Sequence, residues 1–379
     1  MPRPIPTPSA PRQSEAARQA PSARQIPAAT PTTATPPGHA SPATSALAWL
    51  WLALAAGTTC SDVDAGNSGA ATGGDVAGAE ATGADVADTE ADVSVPGTGL
   101  KILTFNVLCS FCAKPDHDPW SERIPALQDV IARHDADLMG LQELFSFEAG
   151  DDSEVLAMMG ADPAYTALYY HVTPTDVLDM DYPDATVYVR TARFDVIESG
   201  TFWLSPTPDV AFSTGFAPSG QLPRLVAWAR LDDKVSGREL VFASTHVDNN
   251  APSQALSAPL ILERLAPIAA DTQVILVGDF NADPGHVAWQ TLTDGVDGKG
   301  LALVDAFEVA QSWDVDSDTE TKADYDPSER IDHIFFSKGG LATGGTFDVP
   351  KWTVDMQRYG SKSLYPSDHF AIVAELAAP

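Results

Sequence analysis

The chain of 379 residues has few basic side chains and very few cysteines. It contains 22 Lys and Arg against 52 Asp and Glu, a formal charge of −30. Proteins bind nucleic acid duplexes largely by neutralising phosphates with Lys and Arg, so this shortage argues against a nucleic-acid-binding function without excluding one. The three cysteines, Cys60, Cys109 and Cys112, are too few for a zinc site built from four cysteines.

The sequence also lacks an apolar run of the ~20 residues that a transmembrane helix needs. Ala46 to Gly57 (ALAWLWLALAAG) is a shorter apolar run, which is typical of the core of a secretory signal. Cys60 follows it closely, and the stretch resembles a bacterial lipoprotein signal, which predicts a lipid anchor on Cys60. A buried helix or an uncleaved anchor is the alternative interpretation of the run.

Composition divides the chain into three parts. Residues 1–60 join a disordered segment rich in Pro, Ala, Ser and Thr to the signal-like run. Residues 61–99 are rich in Gly and Ala and carry eight acidic residues but no Lys or Arg, which is typical of a disordered linker. The folded domain is expected over residues 100–379, where 43 acidic residues face 18 basic ones, a formal charge of −25.

Cys109 and Cys112 have C-x-x-C spacing. In an exported protein, this spacing favours a local disulfide. A redox-catalytic role is the alternative, but no thioredoxin-like sequence surrounds the pair.

Residues 273–285, QVILVGDFNADPG, form the most informative stretch of the domain. The apolar run predicts a buried strand that ends at Asp279, and Asp283 to Gly285 predicts a turn. Asp279 could accept a proton or position a water molecule, and Asn281 could donate to an oxygen that gains negative charge. A simple Asx-rich turn after a core strand is the alternative interpretation.

Two earlier strands also end in polar residues. The first, residues 100–107, carries Asn106, and the second, residues 137–143, ends in Glu143. Oxygen atoms of these types are ligands of hard cations, although solvated strand ends would explain each residue singly. Between them, residues 121–137 have helical periodicity, and Ser121 is the predicted N-cap.

Later polar residues repeat the pattern. His246 ends a predicted strand over 239–246, and Asp332 lies near the start of one over 331–337. Asp368 and His369 precede a predicted strand over 370–376. Further strands are expected over 165–170, 185–190, 194–203 and 225–231, and helices over 253–270 and around Val287 to Trp289.

The stretch from Gln311 to Arg330 is interpreted as an acidic loop. Asp314, Asp316, Asp318 and Glu320 alternate along it in a way that could bind Ca²⁺. The loop lacks the glycine and the terminal Glu of an EF-hand, which favours a solvated loop without an ion.

Six motifs occur in a fixed order: TFNV, GLQE, STHVD, GDFNADP, RIDHIF and YPSDH. With this set over residues 100–379, the chain resembles the endonuclease/exonuclease/phosphatase superfamily of metal-dependent phosphoesterases. GTFWLSPTPD (200–209) and RLVAWARL (224–231) are similar to a bacterial exported subgroup. The resemblance implies a four-layer α/β sandwich, in which two mixed β-sheets pack face to face with helices on the outside.

The resemblance also implies roles for residues at matching positions. Asn106, Glu143 and Asp368 would hold a divalent cation, Mg²⁺, for which Mn²⁺ could substitute. Two carboxylates and an amide suit Mg²⁺, which prefers oxygen ligands and keeps several waters.

The remaining motif residues would act on the phosphoester. Asp279 would orient or deprotonate the attacking water, while Asn281 and His246 would contact the scissile phosphate. His369, oriented by Asp332, would stabilise the transition state, and the neighbouring carboxylate is expected to raise the pKa of His369.

The resulting hypothesis is an exported phosphoesterase, either an outer-membrane lipoprotein or a secreted or periplasmic protein. It would cut a P–O bond by in-line attack of an activated water on a small-molecule or lipid-headgroup phosphoester. A secreted Mg²⁺-dependent nuclease is the alternative, and a non-catalytic surface binding protein is a second one. We expect a monomer that contacts the membrane only through the anchor at Cys60.

Overall fold

The computed structural model describes residues 99–112, 117–144, 164–176, 181–216, 222–339 and 346–377. The predictions of disorder, of a signal segment and of a linker fall on residues outside these ranges, apart from Gly99. No helix in the described ranges is long and apolar enough to cross a membrane.

Within these ranges the chain alternates between strands and a few helices. The strands are β1 (Leu100–Asn106), β2 (Leu138–Gln142), β3 (Tyr165–Tyr170), β4 (Tyr182–Arg190), β5 (Phe194–Trp203), β6 (Leu225–Asp233), β7 (Arg238–His246), β8 (Gln273–Asp279), β9 (Leu303–Asp305), β10 (Trp313–Asp316), β11 (Asp332–Ser337), β12 (Asp348–Asp355) and β13 (Ala371–Ala377). The α-helices are α1 (Trp120–His134), α2 (Ala251–Ala269), α3 (Val287–Asp294) and α4 (Ala306–Val309), and short 3₁₀ turns cover Lys322–Asp324 and Pro327–Glu329.

The strands form two mixed sheets, as predicted. The first has the order β10-β12-β13-β1-β2-β4-β3, and the second has the order β5-β6-β7-β8-β11-β9. β1 and β2 run parallel in the first sheet, and β7 and β8 run parallel in the second. The polar ends of each parallel pair therefore lie at the same edge of their sheet.

The two sheets pack face to face around a shared apolar core. Ile102 of β1 and Val277 of β8 both belong to this core and are fully buried. The sheets approach so closely at Gly140 that an added Cβ would lie 2.3 Å from a methyl group of Val277. Only glycine fits at this point of β2, because a Cβ cannot approach another carbon to that distance.

Helices cover the outer face of each sheet and complete the predicted four layers. Leu127 and Val130 of α1 pack with Leu103 and Phe105 on the first sheet. On the second sheet, residues of α2 and α3 join the outer side chains of β7 and β8 in a separate apolar cluster. Burial of apolar area on both faces explains why β1 and β8 are nearly continuous apolar runs.

The first helix begins two residues earlier than an N-cap at Ser121 would place it. Ser121 was the predicted N-cap, but the helix starts at Trp120 and Pro119 is the capping residue. The fixed φ of proline, −55° here, suits this position, and the Pro119 carbonyl accepts from the amides of Glu122 and Arg123. The prediction for Ser121 was therefore wrong.

The acidic stretch over residues 311–330 is more ordered than the predicted loop. Trp313 and Val315 pack against the core between the sheets and alternate with acidic residues. This two-residue period is that of a strand, and the segment forms the edge strand β10. Arg133 holds Asp316 through two hydrogen bonds of 2.8 and 2.5 Å, and Arg358 donates to Glu320 at 3.0 Å. Two of the four carboxylates proposed for Ca²⁺ are thus paired with arginines.

A buried ionic cluster joins β9 to β11 beneath the turn that follows β8. Asp305 Oδ2 accepts from Arg330 Nη2 at 2.8 Å, His333 Nδ1 at 2.8 Å and Trp289 Nε1 at 2.9 Å. The opposite ring nitrogen of His333 donates to the carbonyl of Ala282 at 2.9 Å. Burial alone would raise the pKa of Asp305, but the charges of His333 and Arg330 and these hydrogen bonds hold it well below its usual value.

Asp305→Asn should make the protein less stable at pH 7 and less sensitive to acid. A carboxyl with a depressed folded pKa contributes stability above its unfolded pKa of about 3.9, and this contribution is lost as the pH falls below that value. Breaking the buried cluster should lower the free energy of unfolding at pH 7 by about 3–5 kcal/mol.

Urea denaturation from pH 7 down to pH 2 measures both effects, with the exposed Asp314→Asn as the matched control. The wild type and the control should lose stability below about pH 4. Equal losses in wild type and in Asp305→Asn would show that Asp305 does not carry the acid sensitivity.

Candidate active site

The predicted site residues meet where the parallel strands end. Asn106 closes β1 and Glu143 follows β2, which is its parallel neighbour. In the second sheet, His246 lies opposite Asp279 at the ends of β7 and β8. Asp332 lies opposite Asp279 from the antiparallel strand β11. Side chains from five strands, which are far apart in sequence, therefore converge on one edge of the sandwich.

Asp279 lies at the centre of this convergence and is only 1% exposed. Asn106 Nδ2 lies 3.1 Å from Asp279 Oδ2 and also 3.1 Å from Glu143 Oε1. The second oxygen of Asp279 accepts from the backbone amide of Asn281 at 2.9 Å. Asp279 is thus held by the first sheet on one side and by its own turn on the other.

His369 and Asp332 form one of two carboxylate–imidazole pairs beside Asp279. His369 Nδ1 lies 2.7 Å from Asp332 Oδ2, and Nε2 lies 3.8 Å from Asp279 Oδ2. Burial disfavours the charged imidazole, but the carboxylates of Asp332 and Asp279 outweigh burial and raise the pKa of His369 well above its usual value. The raised pKa favours the charged imidazole, whose Nε2 faces Asp279.

His246 and Asp184 form the second pair, which the sequence pattern did not predict. His246 Nδ1 lies 2.9 Å from Asp184 Oδ1, and His246 Nε2 lies 3.4 Å from Asp279 Oδ2. Arg224 Nη1 donates to the other oxygen of Asp184 at 2.9 Å. The predicted residue His246 thus has two unpredicted neighbours.

The charges of this second pair are balanced around Asp184, which is fully buried. Burial would raise the pKa of Asp184, but the positive charges of His246 and Arg224 and their hydrogen bonds lower it. Burial and the Arg224 charge oppose protonation of His246, yet the carboxylates of Asp184 and Asp279 give a net rise in its pKa. The sequence pattern did not mark Asp184 or Arg224 as site residues. Asp184 lies inside the largely apolar strand β4, and Arg224 directly precedes the strand β6.

Asn281 lies on the turn directly after β8, where its backbone amide donates to Asp279, and its predicted contact with the scissile phosphate stays a prediction. Its backbone has a φ of 48°, in the left-handed region that Asn tolerates better than most residues. Asn281 Nδ2 donates to the carbonyl of Val247 at 3.0 Å, and Gln254 Nε2 donates to the carbonyl of Asn281. The turn after β8 is therefore tied to the residues that follow β7 and to helix α2.

Glu143 is held in a strained but well-supported conformation. Its φ of 66° lies in the left-handed region, which is costly for a residue with a long side chain. The backbone amide of Glu143 donates to the carbonyl of Asp184 at 3.0 Å. The amide of Cys109 donates to Glu143 Oε2 at 2.9 Å. These bonds fix the carboxylate next to Asn106.

The oxygen-rich donor set fits a hard divalent cation. Asp332 Oδ1 is buried and has no hydrogen-bond partner in the described part of the chain, and an oxygen of Asp332 lies within 4.8 Å of ligand atoms of Asp279 and His369. Asn106 turns its amino group towards the carboxylates, while its Oδ1 accepts from the amide of Leu108 at 3.1 Å. A ligand role for Asn106 requires Oδ1 and stays a prediction.

Asp368 lies on the exposed side of the convergence. Its neighbour Ser367 donates to the backbone carbonyl of Asn106 at 2.7 Å, which places the loop before β13 against the end of β1. Arg123 adds a second tie, since its Nη1 donates to the carbonyls of Val107 and Pro366 at 2.7 and 3.0 Å. The metal-ligand role of Asp368 also stays a prediction.

Comparison with known proteins identifies the same family that the motifs suggested. The sequence model of the "Endonuclease/Exonuclease/phosphatase family" matches residues 103–369. A family member of known structure from Bacteroides thetaiotaomicron is 29% identical, with a TM-score of 0.59 over 74% of this chain and 95% of that one. A mannosyl-6-phosphatase from the same species is 28% identical, with a TM-score of 0.59 over 74% of this chain and all of that one.

A curated relative, Nocturnin of Drosophila melanogaster, is 29% identical over 174 residues. The match covers 39% of this chain, and the chain spans only 27% of the length of that relative. Nocturnin therefore shares part of this domain, and its other regions have no counterpart in the match.

Asp184→Asn should lower the pKa of His246. The carboxylate is what raises this pKa against burial and against Arg224, so an uncharged amide should bring it below the usual value of about 6.5. An NMR titration of the histidine side chains in the presence of a chelator measures the change. Asp181→Asn, beside the exposed His171, is the matched control and should leave His246 unchanged. An unaltered His246 titration in Asp184→Asn would refute the assigned charge balance.

Proposed function

The chain belongs to the endonuclease/exonuclease/phosphatase family, and on that premise we propose that it is a divalent-metal-dependent phosphoesterase that cuts small phosphoesters outside the cytoplasm. The observation that carries the proposal is the position of Asp279. This buried carboxylate lies between the amide of Asn106 and two imidazoles, each of which is backed by its own carboxylate. In the hydrolysis of an anionic ester, such a carboxylate can accept a proton from water, and the fixed donors around it can stabilise the negative charge that develops.

Asp279 orients and deprotonates the attacking water in this mechanism. Its backbone is fixed at the end of β8, and its Oδ1 is engaged by the amide of Asn281, so Oδ2 is the oxygen that faces the two imidazoles. The water attacks phosphorus in line with the ester bond, and the P–O bond to the leaving group breaks. The alkoxide takes up a proton from solvent and leaves as the alcohol, the phosphoryl group keeps the oxygen of the water, and Asp279 returns the proton it accepted to solvent.

His369 and His246 stabilise the negative charge that develops on the phosphoryl oxygens. Asp332 and Asp184 hold the Nδ1 atoms, which leaves Nε2 of each ring pointing towards the reaction centre. The pKa values of both imidazoles are raised by the neighbouring carboxylates, which favours the charged form of each ring as a donor to the phosphoryl oxygens. Because these donors are fixed before the substrate arrives, little reorganisation is needed at the transition state.

Glu143, Asp368 and Asn106 are the proposed ligands of the cation, for which we propose Mg²⁺, with Mn²⁺ as a substitute. When bound, the cation would withdraw charge from the phosphoryl oxygens. Members of this family generally depend on a divalent metal, and Glu143 lies 3.1 Å from the Asn106 amide that also contacts Asp279. Glu143, a proposed metal ligand, and Asp279, the proposed base, therefore both contact the side-chain amide of Asn106.

The proposed substrate is a small phosphoester, such as a sugar phosphate or a lipid headgroup. Two observations support it. The formal charge of −25 over residues 100–379 repels a long polyanion more strongly than a small one. The similar protein from Bacteroides thetaiotaomicron is a mannosyl-6-phosphatase.

A secreted nuclease is the second candidate, since nucleic acids are also phosphoesters. No observed feature favours it over the first, and the excess of acidic residues opposes it. A binding protein without catalytic activity is disfavoured, because each predicted catalytic position retains a residue that can perform the chemistry.

A substrate panel tests the proposed function. Bis-p-nitrophenyl phosphate, p-nitrophenyl phosphate, a hexose 6-phosphate, sphingomyelin, an inositol phosphate and plasmid DNA are each incubated with and without Mg²⁺. We expect metal-dependent release from at least one small ester and slower cleavage of plasmid DNA, including at low salt, where the repulsion is least screened. Equal or faster cleavage of the plasmid would favour the nuclease, and no turnover of any substrate would overturn the proposal.

Substitutions of the two central carboxylates separate base from metal ligand. Asp279→Asn keeps the shape but removes the basicity, and should reduce kcat by about 10²–10⁴-fold at every Mg²⁺ concentration. Glu143→Gln removes charge from the cation site, so raising Mg²⁺ should recover part of its lost activity. Measuring kcat against Mg²⁺ for both variants tests the assignment. Recovery of Asp279→Asn, but not of Glu143→Gln, would mean that the two roles are exchanged.

Export and lipid anchoring at Cys60 complete the proposal. The support is the apolar run over residues 46–57, the cysteine after it and the acidic linker over residues 61–99. In a Gram-negative host, the full chain should fractionate with membranes, and Cys60→Ser should release it. Cys109→Ser, which removes a cysteine outside the signal-like segment, is the matched control and should stay with the membrane. Retention of Cys60→Ser on membranes would rule out the lipid anchor.

A further inference from the structure

A cysteine pair next to the centre has no part in the proposed mechanism. Cys109 and Cys112 form a disulfide, and their sulfurs lie within 4.8 Å of a carboxylate oxygen of Glu143. The pair lies on the turn that directly follows β1, and the amide of Cys109 donates to Glu143 Oε2. Cys109 and Cys112, which would become thiols on reduction, thus lie beside Glu143, a proposed ligand of the hard cation.

We propose that opening this disulfide creates a second metal site, for a thiophilic divalent cation such as Zn²⁺. The ligands are the thiolates of Cys109 and Cys112 and one oxygen of Glu143. The site exists only in the reduced protein, because the sulfurs of a disulfide carry no thiolate charge. Which metal ion binds at this edge of the sandwich therefore depends on whether the Cys109–Cys112 disulfide is reduced.

The ligand types and their spacing suit zinc. Zn²⁺ is bound at about 2.3 Å by thiolates and at about 2.0–2.2 Å by carboxylates, usually in a tetrahedral arrangement. Two cysteines separated by two residues are a common zinc-binding pair. Two thiolates and one carboxylate leave the fourth position for water, whereas Mg²⁺ gains little from sulfur ligands.

The turn has supports that do not depend on the disulfide. Arg123, which is 2% exposed, donates to the carbonyls of Val107, Leu108 and Cys109 at 2.7, 2.6 and 3.1 Å. The amide of Cys112 donates to the carbonyl of Cys109 at 3.1 Å and closes the turn. Reduction removes the covalent link but leaves these hydrogen bonds, so the backbone of the turn keeps its shape while the two sulfurs move apart to non-bonded distance around the ion. Because the backbone of the turn is ordered in advance, less entropy is lost when the ion binds.

Glu143 is also held in place independently of the disulfide. Asn106 Nδ2 lies 3.1 Å from its Oε1, and the Cys109 amide lies 2.9 Å from its Oε2. Each carboxylate oxygen has two lone pairs, so Oε2 can keep the Cys109 hydrogen bond and still bind an ion. The carboxylate is thus directed at the turn that carries the two sulfurs.

The redox step balances with a dithiol reductant. Its thiolate attacks the sulfur of the half-buried Cys112, since Cys109 is fully buried, and Cys109 leaves as a thiolate. The second thiol of the reductant then releases Cys112 and becomes oxidised. Two electrons pass to the protein, two thiols form, and binding of Zn²⁺ displaces their protons.

If Glu143 is also a ligand of the hard cation, as the proposed function holds, then the two metal ions compete for this carboxylate. Zn²⁺ bound to the reduced turn would withdraw Glu143 from the hard cation, so reduced protein with Zn²⁺ should need more Mg²⁺ for turnover. The oxidised protein has no thiolates and should not respond in this way. Zinc binding itself needs no substrate, so it can be tested even if the proposed activity is absent.

The test is a metal titration of the full chain carrying Cys60→Ser, which leaves Cys109 and Cys112 as its cysteines. The oxidised and the dithiol-reduced forms, freed of reductant under anaerobic conditions, are titrated with Zn²⁺ against a chromophoric chelator and with Co²⁺ in the absorption spectrometer. The reduced form should bind one Zn²⁺ at least about tenfold more tightly than the oxidised form, and its Co²⁺ complex should show a thiolate charge-transfer band. Circular dichroism of both forms checks that reduction leaves the fold intact.

Two variants identify the ligands. Cys112→Ser should weaken the charge-transfer band, because one of the two thiolates is lost, and Glu143→Gln should weaken Zn²⁺ binding to the reduced form by about tenfold or more. Glu122→Gln, an exposed acid on α1, is the matched control and should bind as the parent does. The proposal is overturned if the reduced form binds Zn²⁺ no better than the oxidised form, if its fold is lost on reduction, or if Glu143→Gln binds as tightly as the parent.

Discussion

The bridge that Asn106 makes between the two sheets is the interaction on which the rest of the site depends. Its Nδ2 lies 3.1 Å from Glu143 Oε1 in its own sheet and 3.1 Å from Asp279 Oδ2 in the facing sheet. Two carboxylates that would repel each other are thereby held beside a common donor. The close approach of the sheets at Gly140 allows this contact, because any larger residue there would collide with Val277.

Burial of paired charges is the second constraint. The edge of the sandwich contains two imidazoles, and each is backed by a carboxylate with 0 to 9% of its side chain exposed. Leaving any of these charges unpaired would be costly, since a buried ion that loses its partner keeps its desolvation penalty. The same carboxylates raise the pKa values of both imidazoles and align the two rings, so the arrangement that stabilises the charges also prepares the rings to meet a phosphoryl group.

Much of this arrangement could be predicted from the sequence, because the parallel strand pairs bring polar strand ends together. Asn106, Glu143, His246 and Asp279 follow apolar runs that fix their strands, and the structure joins all four. Asp184 and Arg224 could not be found in this way, because neither residue ends a predicted strand and the pairing of Asp184 with His246 is a contact between the two sheets. The strand β10 was missed because its acidic residues concealed the packing of Trp313 and Val315.

The central claim is that a water activated by Asp279 attacks phosphorus. Hydrolysis of bis-p-nitrophenyl phosphate in oxygen-18 water, followed by mass spectrometry of the products, tests it most directly. The claim predicts one labelled oxygen on the phosphoryl product and none on p-nitrophenol, because the P–O bond is broken. Label on p-nitrophenol, or an unlabelled phosphoryl product, would contradict attack of water on phosphorus.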